Sequence, residues 1–253
     1  MKVLAVSDIH IDYAENLAWL RGLSRVDHRE DVLILAGDVS SALPLVGTGL
    51  ALLAERFRVV LFVPGNHDLW VGPDPADGDS FAKYRAVERV ARESGATLGE
   101  WREGALRIVP LLGWYDFSFG EPEPKLLASW ADFRACRWPA GFGAPEVASE
   151  FLRRNEPLRP ATDAVTLTFS HFLPRIDVMS RRIPDTYGFL HPVLGSRRLD
   201  EQVRALGGRL HVYGHSHVNQ RTERDGVTYV NNAFGYPRER RIARKQLVCV
   251  YET

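Results

Sequence analysis

Five short stretches of this 253-residue chain carry side chains able to bind metal ions or move protons: Asp8-Ile9-His10, Gly37-Asp38, Gly65-Asn66-His67-Asp68, Ser170-His171 and Gly214-His215-Ser216-His217. Asp8 and His10 stand two residues apart, as do His215 and His217. Alternate side chains of an extended segment point the same way, so each pair can converge on one ion. The structural alternative for the first pair is a helix-capping aspartate beside an incidental histidine. Imidazole, carboxylate and amide oxygen without a thiolate suit manganese, iron, zinc, nickel or cobalt better than a soft copper site.

Every one of these stretches follows an apolar run. Residues 2–6, 31–36, 58–63, 164–169 and 209–213 are short and rich in aliphatic residues, as strands covered on both faces are, and Pro64-Gly65 breaks the third where the backbone must turn. Between the first three, residues 16–23 place Leu17, Leu20 and Leu23 at helical spacing, and residues 43–57 read as a second helix with a glycine-weakened start. Strand and helix in alternation predict an α/β fold with parallel strands. Ligands bind such sheets at the carboxyl ends of the strands, where Asp8, His10, Asp38, Asn66 and His67 lie. Residues 80–94 form a further amphipathic helix, 105–112 and 245–251 read as strands, and Asp225-Gly226 between 218–224 and 227–231 predicts a hairpin. From about 113 to 160 the pattern turns irregular, with many prolines and glycines and with Trp130, Phe133, Trp138 and Phe142. Such an insertion either shapes access to the site or adds a peripheral layer of core.

Length and composition predict one domain over residues 1–253. Lys+Arg and Asp+Glu are both 32, so the formal net charge is zero and nothing global draws the chain to nucleic acid or to an anionic membrane; a local cluster, Arg238, Arg240, Arg241, Arg244 and Lys245, is the exception. Cys136 and Cys249 fit no metal spacing and no disulfide framework, which suits a reducing cytosol. The N-terminal apolar run is too short for a signal peptide, and residues 43–54 are too short to span a bilayer. The expectation is a cytoplasmic protein with no membrane partner.

Taken in order, the five blocks resemble the signature of the calcineurin-like metallophosphoesterases. The resemblance implies a four-layer αββα sandwich, two mixed β-sheets packed face to face with helices outside. It also implies a binuclear site for two divalent metal ions, manganese first. Asp8, His10, Asp38 and His217 would hold one ion and Asp38, Asn66, His171 and His215 the other, with Asp38 bridging and a hydroxide shared on the open side. Two such ions about 3.5–4 Å apart lower the pKa of a bridging water and clamp both oxygens of an in-line displacement at phosphorus. The implied function is hydrolysis of a small-molecule phosphodiester or phosphomonoester. His67, which holds no ion in this assignment, would act on the leaving-group oxygen as general acid or stabilise phosphoryl charge.

The chain departs from the family at one point: Gly37-Asp38-Val39-Ser40-Ser41 has Ser41 where a second aspartate orients the catalytic histidine, leaving Asp68 or a backbone carbonyl as the candidate partner of His67. The Arg-Gly of the protein phosphatases is missing after Asn66-His67-Asp68, which disfavours a protein serine/threonine phosphatase. Arg175, Arg181 and Arg182 either reach a substrate phosphate or are solvated surface groups. His28, His191 and His211 match no block and read as surface or satisfied core histidines. Two other functions compete. A nuclease of the same fold would want a continuous basic groove, which the zero net charge disfavours, and a non-catalytic scaffold would be expected to have lost ligands that this chain keeps.

Overall fold

The computed structural model describes residues 1–72 and 78–252. The first three apolar runs are strands β1 (Lys2–Val6), β2 (Val32–Ala36) and β3 (Val59–Val63), parallel to one another. Helices α1 (Ala14–Gly22) and α2 (Leu43–Ala54) are their crossovers, and α3 (Ser80–Glu93) leads to a two-residue strand, β4 (Ala96–Thr97), on the far edge. A second sheet is built from β5 (Trp101–Glu103), β6 (Leu106–Pro110), β7 (Val165–Phe169), β8 (Gly208–Tyr213), β9 (Gln220–Arg224) and β10 (Val227–Asn231). Its order is β5-β6-β7-β8-β10-β9, parallel in the middle and antiparallel at both edges. The last strand, β11 (Val248–Glu252), returns to pair antiparallel with β1. Both sheets are therefore mixed. Asp225 (φ 50°) and Gly226 (φ 79°) form the left-handed pair that turns the β9–β10 hairpin.

Side-chain alternation along the strands separates the layers. Val3, Ala5, Ile34, Ala36, Leu61 and Val63 face across to Ile108, Leu167, Phe169, Leu210 and Val212, a dry seam between the sheets. The alternate set, Leu4, Val6, Leu33, Leu35, Val60 and Phe62, packs under the first three helices. The outer face of the second sheet is covered by α4 (Pro124–Ser129), α6 (Ala144–Arg154) and α7 (Arg197–Ala205), which contribute Leu126, Val147, Phe151, Leu199 and Val203. Helix, sheet, sheet, helix is the four-layer sandwich expected from the resemblance.

The irregular stretch at 113–160 is mostly this outer layer: α4, the one-turn α5 (Asp132–Ala135) and α6 are short helices among prolines, burying Leu126 from α4, only Asp132 from α5, and Val147, Ala148, Phe151 and Leu152 from α6. Helix α7 escaped the sequence pattern because only Leu199 and Val203 are buried among its charged residues. The last strand starts at Val248 rather than 245, because Lys245 Nζ is held in a loop, donating to the carbonyls of Phe234, Gly235 (2.9 Å) and Tyr236 (2.8 Å). No helix among the described residues is long and apolar enough to cross a membrane.

His211, on β8, is fully buried between two hydroxyls, with Thr168 Oγ1 2.8 Å from Nδ1 and Ser170 Oγ 3.0 Å from Nε2. Burial pushes its pKa down to about 3. The unfolded chain takes up this proton near 6.5 and the folded chain does not, so stability falls as pH drops from about 6.5 toward 3. Urea midpoints measured at pH 7 and pH 5 should converge more closely in His211→Gln than in the parent; an identical loss in both would assign the acid sensitivity elsewhere.

Candidate active site

The carboxyl ends of β1, β2 and β3 in one sheet and of β7 and β8 in the other meet at one rim. There Asp8, His10, Asp38, Asn66, His171, His215 and His217 are all buried. The backbone that gathers them is not extended. Asp8 (φ 53°), His10 (φ 37°), Asp38 (φ 58°), His215 (φ 66°) and His217 (φ 53°) are all left-handed, a region that costs an ordinary L-residue about 1–3 kcal/mol. The two-residue spacing thus brings each pair together through a coiled turn, not through the alternation of a strand. Close approach also demands glycine: a Cβ on Gly65 would stand 2.1 Å from Asp38 Oδ1, and on Gly37 (φ 85°) 2.4 Å from His171 Nδ1.

Hydrogen bonds on the outer side of the rings fix which nitrogens face inward. His171 Nδ1 donates to Ala36 O (2.9 Å) and His215 Nε2 donates to Val193 O (3.0 Å), so His171 Nε2 and His215 Nδ1 carry lone pairs. These atoms are 3.2 Å apart, and each lies 3.0 Å from Asn66 Oδ1. The amide of Asn66 is held in that sense because its Nδ2 donates to Asp132 Oδ1 (2.8 Å). Three acceptors therefore crowd one point with no donor among them, an arrangement that repels unless a cation occupies it. Asp38 Oδ2 completes the set at 3.5 Å from His171 Nε2.

The same carboxylate oxygen lies 3.8 Å from His10 Nε2, which faces a second group. The ligand atoms of Asp8, His10, Asp38 and His217 all lie within 4.8 Å of one another. His217 Nδ1 donates to Glu239 Oε2 (2.6 Å), turning Nε2 toward Asp8 Oδ1 (3.2 Å) and His10 Nε2 (3.1 Å). Burial lowers the His217 pKa, but Asp8 and Glu239 on its two sides outweigh it and raise it to about 9. Burial raises Asp8, and His217 overcomes it and holds the carboxyl well below its usual range. Asp38, pushed up by burial and by the Asp8 and Asp68 carboxylates, has no such counter-charge. A site with more buried carboxylate than cationic charge fits divalent metal: the Asp8, His10, Asp38, His217 group could hold an ion, and the Asn66, His171, His215 acceptors form a second group against the same Asp38 carboxylate. Asp38 is common to both.

His67 lies on the open side, partly exposed, in a cleft of about 240 Å³ lined also by Trp70, Trp130, Tyr236 and Glu239. Its ring stacks on Trp70 at 3.7 Å, and its Nε2 is 3.4 Å from the Tyr236 hydroxyl. Burial lowers its pKa to about 4. Among the described residues neither of the two candidates from the sequence, Asp68 or a backbone carbonyl, is hydrogen-bonded to its ring. Ser41 donates to Asp12 (3.2 Å), and Asp68 accepts instead from the backbone N–H groups of Asp38 (2.9 Å), Val39 (2.9 Å), Ser40 (3.1 Å) and Gly65 (2.8 Å), buckling two metal-bearing loops together.

Three positioning residues were not found in the sequence. Glu239 orients His217, and Tyr236 stands beside His67. Asp132, from the insertion, accepts from Asn66, from Trp70 Nε1 (2.7 Å) and from Trp130 Nε1 (2.8 Å). None stands at a strand end or in a motif, and only the fold brings them in. The insertion is thus both core layer and one wall of the cleft.

Comparison with known proteins agrees with this geometry. The family model of the calcineurin-like phosphoesterases matches residues 1–219. This chain belongs to that family. The chain is 30% identical over 261 residues to an [acyl-carrier-protein] phosphodiesterase, PptH of Mycobacterium tuberculosis, covering 93% of this chain and 78% of that protein. The crystal structure of the phosphopantetheinyl hydrolase PptH from the same organism superposes with a TM-score of 0.78 at 27% identity, covering 98% of this chain and 95% of that one. As a calcineurin-like phosphoesterase, the chain is a hydrolase of phosphoric esters whose family uses divalent metals. Arg175 stays outside the cleft, paired with Asp177 (2.6 Å) and Asp225 (2.7 Å), so it is a surface group here.

Asp132→Ala should leave Asn66 free to rotate its oxygen away from His171 and His215. Calorimetric titration with Mn²⁺ should then show the weaker of two binding events lowered about 10–100-fold, as for other lost partners of metal ligands. The far-UV dichroism should be unchanged; unaltered Mn²⁺ affinity would remove Asp132 from this role.

Proposed function

We propose that this chain is a metal-dependent phosphodiesterase that releases the phosphopantetheinyl group from an acyl carrier protein. The observation that carries it is the pair of facing acceptor clusters sharing Asp38, joined to a likeness to PptH that runs over nearly the whole of both solved chains. Two divalent cations, when bound, supply Lewis-acid charge and make water a nucleophile near neutral pH. Asp8, His10, Asp38 and His217 would hold one of them and Asp38, Asn66, His171 and His215 the other.

The rest of the work falls to the chain's own residues. Glu239 and the Ala36 and Val193 carbonyls take the outward N–H groups of His217, His171 and His215, so the inward nitrogens of His171 and His215 are lone pairs, and that of His217 would become one when a cation displaces its proton. His67 is neutral near pH 7 and stands at the mouth, where its Nε2 and the Tyr236 hydroxyl face the space a phosphodiester would enter. As an anionic phosphoryl group arrives, the imidazole is stabilised in its protonated form and can hand a proton to the departing serine oxygen of the carrier. Trp70 and Trp130 wall the cleft and keep bulk water from the leaving group. Cys136 and Cys249 are free thiols, consistent with work in a reducing compartment.

The decisive assay incubates a phosphopantetheinylated acyl carrier protein with the enzyme and Mn²⁺ and follows loss of the prosthetic-group mass, beside the same protein stripped by a chelator. Metal-dependent conversion is expected. No conversion, with bis(p-nitrophenyl) phosphate still turned over, would sink the carrier-protein substrate; no turnover of either by protein shown to hold two metals would sink the enzyme.

His67→Ala should lower kcat by about 10²–10⁴-fold while both metals stay bound. Full activity, or loss of metal, would remove His67 from the acid's role.

A further inference from the structure

A second concavity, about 530 Å³, opens beside the metal-bearing loop after β8. Its floor is Asn231 and Asn219, and it adjoins the site directly: Asn231 Nδ2 donates to Gly214 O (2.9 Å) and to Ser216 Oγ (3.3 Å), and Ser216 lines the metal cleft. Among the described residues five arginines line it, Arg181, Arg182, Arg221, Arg224 and Arg244, and no carboxylate does. Arg224 is engaged with Asp177 and with its own strand. The other four are exposed, and among the described residues none has an ion-pair partner. Unpaired arginines occur elsewhere on this surface, but here four of them line one concavity together. Four unpaired guanidinium groups in one concavity repel each other, a cost that a negative partner would relieve.

From this we infer that the arginine cleft is the docking surface for the protein half of the substrate, and that it grips an acidic face of the carrier protein while the phosphodiester reaches the metal cleft next to it. The inference rests on the carrier-protein reading above. Guanidinium groups suit carboxylates because their planar forks make paired hydrogen bonds. A single-stranded nucleic acid would bring phosphates too, but its bases need aromatic faces to stack on, and the cleft lining holds no aromatic ring.

The test compares the parent with Arg181→Glu/Arg221→Glu on two substrates, phosphopantetheinylated acyl carrier protein and bis(p-nitrophenyl) phosphate, at low and high salt. KM for the carrier protein should rise about tenfold or more with kcat nearly unchanged, and the parent's KM should rise with salt toward the variant's. Turnover of the small diester should be the same in both, which also reports an intact fold and site. An unchanged carrier KM in a parent that does act on the carrier overturns the docking surface alone. A parent inert to the carrier but active on the small diester overturns both this surface and the carrier-protein reading. A single-stranded oligonucleotide that binds the parent, competes with the carrier and fails to bind the variant would assign the cleft to nucleic acid instead.

Discussion

Everything at the rim of this molecule depends on forcing lone pairs together. His171 Nε2, His215 Nδ1 and Asn66 Oδ1 face one another at 3.0–3.2 Å with no proton to share, because each ring spends its N–H on a carbonyl behind it. Beside them Asp8 and Asp38 are buried carboxylates with imidazoles for company. Such a cluster is unfavourable as bare protein and favourable around cations, so its assembly has to be enforced by the fold. Five of the ligand residues sit in left-handed backbone, and Gly37 and Gly65 leave the space a Cβ would fill. Strain of this kind persists only where the surrounding structure over-determines it.

The over-determination comes from cross-ties between the sheets. His171, after β7, donates to the carbonyl ending β2; His215 N, after β8, donates to both oxygens of Asp8 (3.1 and 3.2 Å), after β1; the chain beyond β10 donates back to Ser7 and Asp8 through Phe234 (2.8 Å) and Gly235 (2.9 Å). Each tie crosses the dry seam, so the two half-sites move as one body. Asp68 does the same within the first sheet. Four backbone N–H groups converge on its carboxylate, and they hold its pKa to about 6 against the upward push of burial. A residue that looked like a candidate partner for the catalytic histidine is a clasp between two loops.

Function divides along the same rim. The metal cleft is small, walled by tryptophans and lined by histidines and carboxylates, whereas the neighbouring concavity is larger and cationic. Zero net charge hides that segregation. The chain from His217 through the β9–β10 hairpin and beyond serves both, since Asn219 and Asn231 line the cationic side while Tyr236 and Glu239 line the metal side. A phosphodiester that joins a small prosthetic group to a protein presents the same division, one end compact and one end large.

What the sequence by itself determined was the strand-and-helix alternation and the polar strand ends. Apolar runs stopping at Asp8, Asp38, Asn66, His171 and His215 are a local pattern, and local pattern is set by residues a few positions apart. The order of the five blocks then carried the family and with it the sandwich. It did not reveal α7, whose apolar stripe is two residues wide, nor the short helices between the prolines of the insertion. Only the tertiary structure decided the partners. Asp132 reaches Asn66 across 66 positions and Glu239 reaches His217 across 22, and neither lies in a motif. It also decided that Asp8-Ile9-His10 and His215-Ser216-His217 coil instead of extending, and that Arg181 and Arg221 share a cleft. The physical reason is common to all of these: periodicity records which face of an element is buried, whereas a hydrogen bond or a charge cluster between distant segments exists only once the sheets have packed and brought their ends to the same place.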